Sequence, residues 1–264
     1  VKIKDGVNPV DIDIGPLKYS ENAIASYEIF SKNRREGRIA ATTKFQISIP
    51  SPFNLMNSAI KPEHRILLEP QYEARLKHEI DQIASEIPFE DLAIQWDCAH
   101  DMQAFDNARP VYFEDRYQGI ADRLIRIGDW VPTTVELGYH FCYGSLGGKH
   151  FVEPETIGPM VDLANRISSK LSHTPNWIHM PVPVERNDDD YFRALETLTL
   201  KSETKLYLGL IHDSDGVEGA KSRIKTAEKF IKEFGVATEC GFGRRPVNTV
   251  LPLLNLHKEI ASLN

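Results

Sequence analysis

Lys205-Leu206-Tyr207-Leu208-Gly209-Leu210-Ile211-His212-Asp213 is an apolar run that ends in two chemically active side chains. It reads as a β-strand over 205–211. The stretch that follows, from Gly219 to Phe234, has the three- and four-residue apolar spacing of an amphipathic helix. The same unit recurs to either side. Strands are predicted at Val10 to Ile14, Lys44 to Ile49 (ended by Pro50 and Pro52), Leu92 to Trp96, Thr134 to Leu137, Trp177 to Met180 and Val236 to Thr238. Helices are predicted from about Asn22 to Lys32, Pro70 to Ile87, Glu114 to Ile127, Ile157 to Leu171, Asp190 to Leu195 and Val247 to Ala261. Seven strands alternating with seven helices imply βα units and a parallel sheet. This count fits a (β/α)8 TIM barrel with its first strand lacking or atypical better than an open sheet, although alternation alone does not choose. No linker, repeat or low-complexity segment interrupts residues 1–264, so one domain is expected. The chain opens at Val1 without a methionine, and the missing barrel strand is expected upstream of Val1 or as a remnant at Val1 to Ile3.

Composition narrows the class. The net charge of −7 argues against a nucleic-acid surface, and Lys32-Asn33-Arg34-Arg35 reads as the solvated end of a helix. No apolar run approaches the ~20 residues needed to cross a bilayer, and no signal peptide is visible. Three cysteines cannot build a disulfide framework, so a reducing cytoplasm is the expected compartment.

Polar residues gather where the strands end: Asp97-Cys98, His140-Phe141-Cys142, His179, His212-Asp213 and Glu239-Cys240. In α/β barrels the active site is assembled from those C-terminal ends. His140 and Cys142 are two apart in extended backbone, so a ring nitrogen and a thiolate point to one side. With Cys240 at the end of the last strand they form a zinc-type donor set with one position open. Against this stands the reading of both cysteines as small buried hydrophobes. Gly144, Gly147, Gly148, Gly241 and Gly243 weigh on the ligand side, because glycine suits loops where backbone approaches a ligand.

The other candidates are less decided. Gln95 and Asp97 share one strand face, where the carboxylate could hold a substrate ammonium and the amide orient it. Polar residues satisfied within a barrel layer are the competing account. Cys98 alternates away from Asp97 and reads as core. His212, beside Asp213, reads as a general acid with a pKa near neutrality or as a loop histidine capping the next helix. Glu136 is either turned inward or exposed. Asp188-Asp189-Asp190 reads as the acidic first turn of a helix rather than a cation site.

Taken jointly, these segments resemble a known family. His140-Phe141-Cys142-Tyr143 resembles the His-Met-Cys-Tyr stretch in the C-terminal barrel of cobalamin-independent methionine synthase. Thr238-Glu239-Cys240-Gly241-Phe242 resembles that family's Asp-Cys-Gly-Leu segment, Ile94-Gln95-Trp96-Asp97 its Gln-Ile-Asp segment, and Leu210-Ile211-His212-Asp213-Ser214 its Asp-Ile-His-Ser stretch. Order and approximate spacing agree from roughly Ser20 to the C-terminus.

The resemblance implies a barrel of the uroporphyrinogen decarboxylase/methionine synthase superfamily and a transferase that moves a methyl group to a zinc-bound thiol such as homocysteine. It assigns His140, Cys142 and Cys240 to zinc, Asp97 with Gln95 to the acceptor's amino group, and His212 to proton transfer. Tyr143 and Asp213, in the same motifs, are expected to contact substrate.

There are two departures from the family. Its glutamate ligand is absent from Trp177-Ile178-His179-Met180-Pro181, so His179 is a candidate fourth ligand, or three protein ligands suffice, as in related coenzyme M alkyltransferases. The N-terminal folate-positioning domain is also absent, which leaves a folate, a corrinoid protein or a methoxylated compound as donor. A small-molecule thiol acceptor and a homodimer are the expected partners. The rival reading is a lyase, decarboxylase or demethylase-type enzyme using Asp97, His140 and His212 as acid and base groups without an essential metal. A further rival is a degenerate barrel acting as a binding subunit.

Overall fold

The computed structural model describes residues 3–4, 6–8, 11–144 and 150–262. Six strands and nine α-helices lie among them: α1 Tyr19–Arg35, β1 Phe45–Pro50, α2 Pro52–Ala59, α3 Pro62–Glu86, β2 Leu92–Cys98, α4 Ala99–Phe105, α5 Arg116–Gly128, β3 Glu136–Phe141, α6 Gly158–Lys170, β4 Trp177–Pro181, α7 Asp189–Phe192, β5 Lys205–Ile211, α8 Gly216–Ala227, β6 Gly235–Thr238 and α9 Val247–Ala261. A 3-10 turn, Arg193–Thr197, extends α7. The strands follow one another in the order β1-β2-β3-β4-β5-β6. Strand β1 pairs with β2, β4 with β5, and β5 with β6, all in parallel. The architecture is therefore α/β with a parallel sheet.

The chain clusters into two compact units. The first holds Val1–Asp97, Val111–Gly138 and Leu171–His173, and the second Cys98–Pro110, Tyr139–Lys170 and Thr174–Asn264. In the first, Ile49, Phe53, Leu76, Ile80, Ile94 and Trp96 are fully buried. Each such side chain contributes about 1.5–3 kcal/mol of transfer free energy. In the second, Tyr139, Phe141, Ile178, Met180, Leu208 and Leu210 play that part. Strands buried on both faces read as near-continuous apolar runs, which is why β5 is so legible.

Local chemistry sets the boundaries that periodicity misplaces. The strand expected at Val10 to Ile14 does not form over residues 11–14, and Val10 lies outside the described residues, as do Val1, Gly147 and Gly148. Helix α3 begins at Pro62 rather than Pro70, because a proline in the first turn gives up no intrahelical bond. Pro70 then sits inside the helix, at a cost of about 3 kcal/mol, offset by burial of Leu68, Tyr72, Leu76, Ile80 and Ile83. The Pro50 to Pro52 segment does more than end a strand: Ser51 accepts the amide of Asn54 and Pro52 opens α2. Before β3, Val135 donates its amide to Pro132 in a turn, so the strand starts at Glu136.

Helix α1 shows a less ordinary solution. Its N-cap residue, Lys18, is left-handed (φ 67°) and offers no side-chain cap. Glu79 of α3 supplies the acceptor instead. Its carboxylate takes the amides of Leu17 (3.0 Å) and Ser20 (2.9 Å), the Ser20 hydroxyl (2.7 Å) and the Arg75 guanidinium (2.9 Å). Burial alone would raise the Glu79 pKa, but these donors outweigh it and hold it at about 2.

Candidate metal centre

Four strand ends in the second unit present the chemistry. His140 is the penultimate residue of β3, and Cys142 follows that strand; the two are 7% and 4% exposed. Cys240 lies two residues past β6, where the Thr238 hydroxyl donates to its carbonyl at 2.7 Å and shapes the turn. The Cys142 and Cys240 sulfurs are 3.9 Å apart, and one ligand atom from each of His140, Cys142 and Cys240 lies within 4.8 Å of the others. Two thiolates on one tetrahedral zinc, at bond lengths of about 2.3 Å, are about 3.8 Å apart. The donor set and its spacing fit such an ion. None of the three cysteines forms a disulfide.

Two glycines make this convergence possible. Gly209 of β5 pairs with Pro181 of β4 and borders β6; a Cβ there would stand 2.8 Å from the Glu239 Cα and 3.0 Å from the Pro181 Cα. Glycine lets both neighbouring backbones close in, and so brings β6 and Cys240 to the site. Gly144 has φ 92°, its missing side chain leaves room for the Phe151 ring, and its amide donates to the Cys142 sulfur at 3.2 Å. An N–H aimed at sulfur favours the thiolate.

The imidazoles around the group differ in kind. His179 of β4 stacks on His140, with ring centroids 4.6 Å apart and facing Nδ1 atoms 2.5 Å apart. One of the two nitrogens must accept, so the pair shares a single proton there. Burial, then the neighbouring His140, pushes the His179 pKa well below the ordinary value. The set of three ligand atoms does not include His179. It lies against the ring of a ligand candidate, where neighbours commonly orient a metal-binding histidine.

His212 follows β5 and hydrogen-bonds through Nε2 to the Val182 carbonyl at 2.9 Å. Burial first, and the Arg223 cation second, bring its pKa down to about 4. The near-neutral pKa expected from the sequence is not what burial and Arg223 give this ring. The ring is neutral at pH 7, its Nε2–H is committed to Val182, and Nδ1 is the acceptor. That Nδ1 lies 3.8 Å from the Glu239 carboxylate, which is also 3.6 Å from Nε2 of His150. Burial raises the pKa of Glu239.

Tyr143 is fully buried, and its hydroxyl donates to Asp106 at 3.0 Å. Its carbonyl takes the amide of Phe151 and the side chain of Gln103, which Arg109 holds in turn. Asp213 pairs with Arg245 at 3.0 Å. The roles of Glu239, His150, Asp106 and Arg223 escaped sequence reading. Glu239 stands inside a quoted motif, but His150, Asp106 and Arg223 carry no spacing signal, because only tertiary structure brings them to these positions.

In the first unit, the Gln95 amide donates to Asp97 (2.9 Å) and to Ser48 (3.3 Å), so the two candidates do share a face of β2. Glu136 pairs with Lys44 at 3.2 Å. In the second unit, Asp188 caps α7 by accepting the Tyr191 amide and forks with Arg186, a helix-start role for the acidic run. Cys98 is fully buried.

No protein-family model matches the chain, and no curated protein matches it. A solved structure does. The fold is similar to that of the "putative vitamin-B12 independent methionine synthase" from Listeria monocytogenes. The TM-score is 0.59 at 16% identity, over 98% of this chain and 73% of that one. At this identity the likeness is one of fold, and function must be argued from the residues. Among the described residues no helix is long and apolar enough to cross a membrane.

Proposed function

We propose that this chain is a zinc-dependent alkyltransferase, moving a methyl group to a thiol on a (β/α)8 barrel of the methionine synthase type. The observation that carries the reading is the meeting of His140, Cys142 and Cys240, two of whose sulfurs lie 3.9 Å apart at different strand ends. The likeness in fold supports it. Bound there, zinc would supply a positive charge that keeps a thiol ionised at neutral pH while it remains nucleophilic, and three protein donors leave a fourth place for it.

The chain's own residues do the rest. Gly144 stabilises charge on Cys142 through its amide, and His179 fixes the ring of His140. The thiol proton passes to solvent, and the neutral Nδ1 of His212 serves as a hydrogen-bond acceptor rather than a base, since a pKa of about 4 is too low to hold a proton at pH 7. The new S–CH3 bond forms as the donor's bond to methyl breaks, and the donor keeps the electron pair. Within the first unit, Asp97, steadied by Gln95, is suited to an acceptor's ammonium group. The donor is a folate, a corrinoid or a methoxylated compound, and the acceptor a small thiol such as homocysteine.

Elemental analysis of wild type, Cys142→Ser and Cys240→Ser tests this. About one zinc per chain is expected in wild type and none in either variant. A folded, active and metal-free wild type would instead favour acid–base lyase chemistry, for which two converging thiols have no use.

A further inference from the structure

The His212 ring depends on a residue that no motif contains. Arg223 of α8 is 1% exposed, although it carries a permanent charge. Its guanidinium spends its donors on three stretches of chain. Nε donates to the Leu210 carbonyl at 2.9 Å and Nη1 to the Val184 carbonyl at 2.8 Å. Nη1 and Nη2 fork onto the Asp215 carboxylate at 2.6 and 2.8 Å. Leu210 and Asp215 lie two residues before and three after His212, and Val184 lies two after Val182, whose carbonyl holds the ring. One buried cation thus grips both the segment that carries the imidazole and the segment that carries its acceptor.

We propose that Arg223 is the positioning residue for His212, locking the ends of β4 and β5 so that Nε2–H stays on Val182 and Nδ1 is turned out as the acceptor. This deepens the alkyl-transfer reading and takes its catalytic meaning from it. A fork-shaped donor is needed, because an ammonium group cannot satisfy two carbonyls and a bidentate carboxylate in fixed directions.

The charges facing His212 are Arg223 from α8, Asp215 from the turn before it, Glu239 from the end of β6 and His150 from the segment after β3. Burial, Arg223 and His150 oppose a second proton on the ring. Asp215 favours one, but its carboxylate is engaged by Arg223. Removing the guanidinium therefore takes away a nearby cation and releases an anion, and both changes act in the same direction.

The test is 15N NMR of the histidine rings in the full chain without added metal, assigned through His212→Gln. Ring nitrogen shifts distinguish the Nε2–H tautomer, the Nδ1–H tautomer and the imidazolium. In wild type the Nε2–H form is expected at pH 7, titrating near pH 4. In Arg223→Gln the midpoint is expected to rise by about one pH unit or more, toward the ordinary histidine value. In Arg223→Lys, which keeps the charge and loses the fork, the midpoint stays low while the tautomers mix. A purely structural role would lower thermal stability and leave the His212 spectrum in place. A wild-type ring that is imidazolium or Nδ1–H at pH 7 overturns the proposal before any variant is made. If Arg223→Gln does not fold, an Arg223→Lys spectrum identical to wild type also overturns it. The spectrum is read without zinc, so a chain that binds none leaves this result standing separately.

Discussion

Gly209→Ala is the sharpest perturbation of the way this chain builds its candidate site. The added methyl would stand 2.8 Å from the Glu239 Cα, 3.1 Å from the Glu239 amide nitrogen and 3.0 Å from the Pro181 Cα. Ordinary van der Waals contact begins at 3.4 Å, so the strands on both sides must retreat by about half an ångström, and all three obstacles are backbone atoms that cannot rotate away. Overpacking of this kind costs about 1–3 kcal/mol. The reduced freedom of the unfolded chain returns about 0.4–1 kcal/mol. The net loss is up to about 2.6 kcal/mol and about 1.3 kcal/mol at the midpoints, which for a chain of this size lowers Tm by roughly 3–5 °C.

The displacement falls on Glu239, next to Cys240, so the 3.9 Å spacing of the sulfurs should widen and zinc affinity fall by about tenfold or more, equivalent to about 1.4 kcal/mol. The assay is scanning calorimetry with a chelator competition titration. Gly241→Ala is the control: it also adjoins Cys240, its Cβ would meet nothing within 4 Å, and it should leave both readings close to wild type. A Gly209→Ala protein with unchanged Tm and zinc affinity would refute the close-approach argument.

Two further predictions concern the first unit. The Glu79 carboxylate titrates at about 2 instead of its usual 4.5. Its stabilisation is therefore fully present above pH 4.5 and is lost as pH falls toward 2. Glu79 is 1% exposed, and its share of the loss amounts to about 3 kcal/mol, so the drop in stability between pH 7 and pH 2.5, read by urea unfolding, should be larger by about that amount in wild type than in Glu79→Gln. Asp97→Asn, which keeps the shape and removes the charge offered to an ammonium, should raise KM for an amino-thiol acceptor by about tenfold or more and leave zinc content unchanged; an unaltered KM removes Asp97 from the acceptor site.

The legible parts of this fold are those where one physical signal dominates. Strand β5 and helix α9 carry strong periodicity, and their bounds fall where the residues say. Three features override periodicity elsewhere. Pro62 opens a helix that Pro70 does not stop, Ser51 caps a helix too short to show a repeat, and Glu79 caps α1 from 59 residues away. At the candidate centre, spacing alone pairs His140 with Cys142, because alternation in extended backbone is a local rule. The approach of Cys240 is legible only through the logic of strand ends. The state of His212 is not legible at all: Arg223, Val182 and Glu239, which decide it, lie 11, 30 and 27 residues away.

At the proposed centre the charges of the second unit's own residues bear on how readily an added anion binds. Cys142 and Cys240 must both ionise to act as ligands, while a ligating imidazole is neutral, so the protein contributes two negative charges to a divalent ion. The two histidines beside the centre add no positive charge near pH 7, and the nearby cation, Arg223, is paired with Asp215. His179 is pushed well below the ordinary range, and His212 titrates near pH 4. Where the resembled family places a glutamate, β4 carries His179, and this removes one negative charge. A centre balanced by its own thiolates attracts an added anion more strongly than one that also bears a carboxylate. The incoming thiol should therefore ionise more readily here. The nucleophilicity of a thiolate falls with its pKa by less than half a power, so the larger ionised fraction outweighs the weaker attack until the thiol is fully ionised. On the proposed reading, a buried neutral imidazole in place of a carboxylate would leave the centre able to ionise a thiol.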